Sequence, residues 1–172
     1  SVPSKSKKIA RYVRGAMRRS FGRVNWLLRH GSIRHVAKER ANPMKILLHA
    51  CCGPCSLEPV RLLRAAGHDL TIAYMNSNIA PADEYARRLS TLRAWAAGEQ
   101  LDVLEGAYDP AAWETCAGRV GAAEGDPARR KARCRACYRL RFEEASALAA
   151  EQGFDALGTT LSVSPYQYTD VI

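Results

Sequence analysis

The apolar run at residues 45–50, KILLHA, stops abruptly at Cys51-Cys52-Gly53-Pro54-Cys55. A short apolar segment bounded by turn residues predicts a buried strand, so three thiols are set at one strand end. Further strands are predicted over Leu70–Met75, Leu101–Leu104 and Phe154–Leu161. Helices are predicted over Ser56–Ala66, Pro81–Ala97, Asp109–Cys116 and Cys134–Glu151, with Gly153 as a C-cap. Gly118–Lys131 reads as a polar loop. This alternation predicts an α/β fold: a three-layer, Rossmann-like domain with a mostly parallel sheet, preceded by a basic N-terminal arm.

The charge of the chain is divided sharply. Residues 1–42 hold 12 of the 26 lysines and arginines against one acid, Glu39, whereas residues 43–172 hold 14 basic and 16 acidic residues. Asn42-Pro43 marks the boundary. Residues 1–42 are thus expected to be a basic extension, helical or disordered, and 43–172 an α/β metal-binding catalytic domain. The arm suits phosphates, an anionic surface or a solvated tail. No run reaches the roughly eighteen apolar residues of a membrane span, and no apolar h-region follows the basic start. The expectation is no membrane and a cytoplasmic, reducing compartment, where clustered cysteines serve metal or redox chemistry rather than a disulfide framework.

In parallel sheets ligands bind at the carboxyl ends of the strands. The chemically informative segments fall there: Cys51 to Cys55 after the first strand, Asn76 to Ile79 after the second, Tyr108-Asp109 beyond the third, and Ser162 to Tyr166 after the fourth. Thiolates are soft ligands suited to zinc or iron–sulfur centres. Cys134 and Cys137, spaced i and i+3, share one helix face, with Arg133 and Arg135 beside them to favour the thiolates. Five thiolates exceed the needs of one four-ligand centre, which implies two adjoining metal sites or a cluster plus a catalytic thiol. Cys52-Gly53-Pro54-Cys55 alone also matches a thioredoxin-like dithiol, and a structural zinc site is a further reading. Cys116 reads as a buried, inert cysteine.

Five segments carry a resemblance: HACCGPCS at 49–56, YMNSNIAPADEYARRL at 74–89, YDP at 108–110, RCRACYRLRFEEA at 133–145 and TTLSVSPY at 159–166. In order and spacing they resemble the QueH-type epoxyqueuosine reductases, over about residues 44–172. The resemblance implies reduction of epoxyqueuosine to queuosine at the tRNA wobble position, the last step of that biosynthesis. It implies a 4Fe-4S cluster and an adjacent mononuclear iron, with Cys51, Cys52, Cys55, Cys134 and Cys137 as metal-site residues. It also implies two partners: tRNA carrying epoxyqueuosine in the anticodon, and an electron donor that the sequence does not identify.

Within these motifs Tyr138, Glu84 and Tyr85 are the expected proton donors, Tyr138 first because it follows the C-x-x-C. Asn76, Asn78, Arg88, Thr159, Thr160, Ser164 and Tyr166 are expected to bind the substrate nucleoside. A plain i, i+4 salt bridge is the competing role for Glu84 and Arg88. His49 reads either as a buried strand residue or as a hydrogen-bond donor behind the metal site. Arg129, Arg130, Lys131, Arg133 and Arg135 form a loop cluster suited to anticodon phosphates. Two departures from the family pattern stand out. Asn76-Ser77-Asn78 replaces Asn-Pro-Asn, and the family continues past position 172 with a Tyr-Arg-Gln segment and a Cys-Gly-Cys motif, so the domain is expected to be C-terminally incomplete. The alternatives to the reductase are a thioredoxin-like thiol oxidoreductase and a zinc-containing RNA-binding module.

Overall fold

A computed structural model describes residues 42–120, 126–164 and 166–172. The basic arm lies outside the described residues, apart from Asn42. Four strands, β1 (Lys45–His49), β2 (Asp69–Tyr74), β3 (Val103–Glu105) and β4 (Ala156–Thr159), form one sheet in the order β3-β2-β1-β4. Every pair is parallel, with Ile46 opposite Leu70 and Ala156, and Ile72 opposite Val103. The helices are α1 (Gly53–Ala65), α2 (Ala82–Gly98), α3 (Pro110–Cys116) and α4 (Pro127–Glu151).

The central strand β1 is buried on both faces, which explains its continuous apolar run. Its alternate residues feed two cores. Ile46 and Leu48 join Leu70, Ile72 and Tyr74 under Val60 of α1 and Tyr85, Leu89, Leu92 and Ala96 of α2. Leu47 joins Ala73 and Met75 under Ala145 and Ala149 of α4. Helices therefore cover both faces, giving three layers. The first two crossovers step outward from β1. The third returns past it to β4, so the direction of winding reverses between β1 and β4. The crevice at that reversal is where open α/β sheets place ligands.

Three boundaries differ from the sequence expectation. α4 begins at Pro127, two turns before Cys134. Asp126 caps it, its carboxylate accepting from Ala128 N at 2.9 Å, and Pro127 occupies the first turn where its missing N–H costs nothing. The basic cluster from Arg129 to Arg135 accordingly rides on a helix, not a loop. The third strand starts at Val103 because Gln100 takes a positive φ of 56° and Leu101 N–H bonds back to Ala96 O, consuming 101 in the helix stop. β4 is shorter than 154–161: Phe154 N–H closes onto Ala149 O around Gly153, at φ 68°, as the C-cap expectation required, and 161–163 turn into a 3₁₀ helix.

The described C-terminal residues run back along α4. Tyr138 donates from its hydroxyl to Gln167 Oε1, and Lys131 pairs with Asp170. Among the described residues no helix is long and apolar enough to cross a membrane.

Candidate metal centre

β1 ends at His49, and the chain turns into α1 within four residues. Cys52 is the N-cap of α1, and Gly53 and Pro54 form its first turn, so Cys55 lies inside the helix rather than ahead of it. Ser56 Oγ donates to Cys52 O at 2.8 Å and ties this turn down. The result brings Cys51, Cys52 and Cys55 together: their three Sγ atoms lie within 4.8 Å of one another. Cys51 Sγ and Cys52 Sγ are 3.8 Å apart. Sulfurs bound tetrahedrally to one ion at about 2.3 Å stand about 3.8 Å from each other, so the donor set fits a thiophilic metal. This group can bind a metal ion. Adjacent cysteines on extended backbone would diverge; the turn at the helix start is what lets neighbours share a centre.

The turn is supported by β4, the strand across the crevice. Cys51 N–H donates to Thr160 Oγ1 at 3.3 Å, and the same hydroxyl lies 3.6 Å from Cys51 Sγ. His49 Nε2 lies 3.4 Å from Met75 O, which can only accept, so Nε2 carries the proton of the neutral ring. Nδ1 then accepts from Thr159 Oγ1 at 3.1 Å, and that hydroxyl oxygen in turn accepts from Leu161 N–H at 3.2 Å. His49 is fully buried, and burial, with the positive charge of Arg141, keeps its pKa well below the ordinary value. It is a neutral structural ring beneath the thiols, edge-on to Phe142 at 5.5 Å.

The thiols themselves are shifted against ionisation. Burial raises Cys51, opposed by the Thr160 hydroxyl. Burial and the neighbouring sulfurs Cys52 and Cys51 push Cys55 up to about 12. A metal binding here must displace protons. Burial also raises Cys134, with Cys137 adding to the effect, while Arg130, the Tyr138 hydroxyl and Arg133 pull the other way. The expectation that neighbouring arginines would make the thiols acidic fails at Cys134: Arg133 pulls in the expected direction while lying over the Trp113 ring at 5.2 Å, but desolvation outweighs it.

Cys134 and Cys137 belong to the inward stripe of α4, whose buried residues are Cys137, Tyr138, Arg141, Ala145 and Ala149. Ala145 and Ala149 lie on the sheet, and Arg141 reaches the end of β2, donating from Nε to Met75 O at 3.1 Å and from Nη2 to Asn76 Oδ1. The stripe continues past the carboxyl ends of the strands, one turn to Cys137 and two to Cys134. Both cysteine groups therefore sit at the same end of the sheet, although the tight group holds only the first three thiols.

The other expected site residues divide in two. Tyr138 is buried, and its hydroxyl donates to Gln167 Oε1. Asn78 Oδ1 is buried without a hydrogen-bond partner. Ser164 Oγ accepts from Tyr166 N–H at 3.3 Å, and Tyr166 is 86% exposed. By contrast Asn76 is 1% exposed, with both ends of its amide bound inside the protein, to Arg141 and to Ala50 O at 2.9 Å. Glu84 pairs with Arg87 and with Arg88, at 2.6 Å, on the outside of α2, and these arginines lower its pKa. Tyr85 stacks on Tyr108, ring centroids 4.0 Å apart, and its hydroxyl donates to Glu105 at 3.0 Å. Arg141 and Thr160 support the site and were not singled out beforehand for this role. The signal for Arg141 was its spacing: position i+4 from Cys137.

The fold is an α/β domain whose three clustered thiols, at the winding reversal, have the chemistry to bind a metal. The family model described as epoxyqueuosine reductase QueH matches residues 46–172, and the chain belongs to that family. It is 35% identical over 123 residues to the epoxyqueuosine reductase QueH of Histophilus somni, covering 72% of this chain and 49% of the relative. It is 33% identical over 131 residues to that of Acinetobacter baylyi, covering 76% and 58%. It is 33% identical over 141 residues to that of Streptococcus pyogenes, covering 78% and 53%. The chain thus spans about half the length of the curated relatives it matches.

Proposed function

We propose that this chain reduces epoxyqueuosine to queuosine in tRNA, with residues 43–172 as the metal-binding catalytic domain and 1–42 as a basic extension. The observation that carries the reading is the three-thiol group at the β1–β4 crevice. Family membership supplies the substrate. Cys51, Cys52, Cys55, Cys134 and Cys137 would hold a 4Fe-4S cluster and an adjacent mononuclear iron. When bound, these metals supply electrons one at a time and Lewis acidity toward the epoxide oxygen.

The net reaction takes two electrons and two protons, breaks both C–O bonds of the epoxide, and yields an alkene and water. The electrons come from an external one-electron donor. Tyr138 would deliver a proton: it directly follows Cys137, and its hydroxyl, which donates to Gln167, helps to hold the Cys134 pKa down. Tyr85 and Glu84 remain family-motif alternatives, both on α2 rather than beside the thiols of α4, with Tyr85 bonded to Glu105 and Glu84 to Arg87 and Arg88. The unpartnered Asn78 carbonyl, Ser164 and the exposed ring of Tyr166 are the groups free to meet a nucleoside by hydrogen bonding and stacking. Arg88 would flank them, while Asn76, Thr159 and Thr160 act from behind, holding the thiol turn. The basic residues of the first turns of α4 would meet anticodon phosphates.

The test is an anaerobic single-turnover assay on tRNA bearing epoxyqueuosine, using iron- and sulfide-reconstituted protein and a chemical one-electron reductant. Digestion of the tRNA should yield queuosine in proportion to enzyme. Persistence of the epoxide with fully loaded protein would overturn the reading.

A further inference from the structure

Arg141 is a full charge at 3% exposure, and buried cations are expensive unless their partners fix something in return. Its partners lie at the rim of the thiol site. Nε and Nη2 engage two successive residues, Met75 through its carbonyl and Asn76 through Oδ1. Asn76 passes the connection on, its Nδ2 donating to Ala50 O at 2.9 Å. Ala50 immediately precedes Cys51. One guanidinium and one amide thus join the helix bearing Cys134 and Cys137 to the backbone entering the Cys51–Cys55 turn.

The other contacts of α4 with the sheet are apolar and less directional than a guanidinium fork: Ala145 and Ala149 lie against Leu47, Ala73 and Met75 with Leu148 beside them, and Phe142 meets the His49 ring edge-on at 5.5 Å. At 1.5 Å per residue, Cys137 lies about 6 Å and Cys134 about 10 Å beyond Arg141 along the axis. A slip or rotation of α4 would be amplified over that overhang. A planar fork resists both motions, which an ammonium cannot do.

We propose that Arg141 is a positioning residue whose fork, acting through Asn76, sets the register of α4 so that Cys134 and Cys137 join Cys51, Cys52 and Cys55 at one metal-binding site. The proposal rests on the metal centre of the preceding reading, and on nothing about the substrate.

The probe is cobalt(II), added anaerobically to the reduced, metal-free full chain. Sulfur-to-cobalt charge-transfer absorption per bound cobalt reports the number of thiolates. The wild type should exceed the Cys134→Ser/Cys137→Ser double variant. Arg141→Lys and Asn76→Ser should keep the circular dichroism of the fold yet fall to the double variant's intensity, with cobalt affinity reduced about 10- to 100-fold. Adding Arg141→Lys to the double variant should cost nothing more in intensity, a non-additivity that a general packing defect would not show. Arg61→Gln, which removes only an exposed pair with Glu58, should behave as wild type.

Wild-type intensity in folded Arg141→Lys and Asn76→Ser would overturn the proposal. So would equal intensity in the wild type and the double variant. If both single variants fail to fold, the clamp serves the sheet and not the thiols, and the proposal is likewise overturned. A wild type that reads like the double variant yet reduces the epoxide sinks the clamp alone. A clamp-dependent centre without epoxide reduction sinks the substrate reading alone.

Discussion

Helices α2 and α4 both carry a dense family motif, and they use it in opposite ways. α2 puts Leu89, Leu92 and Ala96 into the core and turns Glu84, Arg87 and Arg88 outward into ion pairs with one another. α4 turns Cys137, Tyr138 and Arg141 inward, and Arg141 bonds the residues that follow β2. The reason lies in topology. α2 crosses between β2 and β3 on the side where the sheet winds outward, so its work is to seal a face. α4 makes the return crossover over the winding reversal, and its N-terminal turns extend past the strand ends. Polar residues in a motif acquire chemistry from where the helix passes, not from their density.

This contrast is broken most severely at the thiols. Replacing Cys51, Cys52 or Cys55 with Ser should abolish stable metal binding in a cobalt titration while leaving the circular dichroism of the fold in place. Retention of wild-type affinity by any of the three would remove that residue from the centre. Next comes the proton donor. Tyr138→Phe should slow single-turnover reduction about 100-fold or more, the usual scale for a lost general acid. Tyr85→Phe, on α2, should stay within about threefold because its hydroxyl serves Glu105. Equal losses in the two would erase the distinction between the helices.

Leu92→Ala tests the sealing role. Leu92 is fully buried, and its truncation should cost about 2–5 kcal/mol of stability, read by urea unfolding. The folded fraction of that variant should still bind cobalt with unchanged intensity. A smaller expected effect is that of Glu144, on α4. Its Oε2 is buried without a partner, and burial raises its pKa, with Asp109 adding to the rise and Arg141 opposing it. The raised value means that the folded state holds this proton longer than the unfolded chain does. Stability from this group is therefore greatest below the ordinary glutamate pKa, and is lost as pH rises through the folded value. Glu144→Gln should raise Tm by about 2–4 °C at pH 8 and leave it unchanged at pH 4. A variant less stable than wild type at pH 8 would show that the carboxylate has a partner worth keeping. The smallest effect belongs to Glu84→Gln, whose exposed pairs contribute little: turnover should stay within about twofold.

Much of this arrangement was legible in the residues. Continuous apolar runs marked β1 and β2, Gly153 marked the stop of α4, and the placement of every motif after a strand located the crevice. Cys51, Cys52 and Cys55 are brought together as their spacing implied, because Gly53-Pro54 bends the chain into a helix start. The start of α4 lies at Asp126-Pro127, an ordinary cap and first-turn signal that precedes the thiols by two turns. Asn76 looked like a substrate residue because its motif abuts the crevice. Only three dimensions show that Arg141 and Ala50 occupy its amide. Thr160 and Arg141 were hidden for the same reason: their roles depend on partners 109 and 65 residues away. Periodicity locates faces, but it does not pair them.

The most direct measurement is the metal content of the chain after anaerobic reconstitution with iron and sulfide: iron, sulfide and zinc per chain, with the absorption spectrum. Iron in excess of sulfide, with cluster-type absorption lost in the Cys134→Ser/Cys137→Ser double variant, is the predicted result, since both thiol groups then contribute to a cluster and a separate iron. Zinc alone, or no metal and a reducible Cys52–Cys55 disulfide, would contradict the account and leave the thiols a structural or dithiol role.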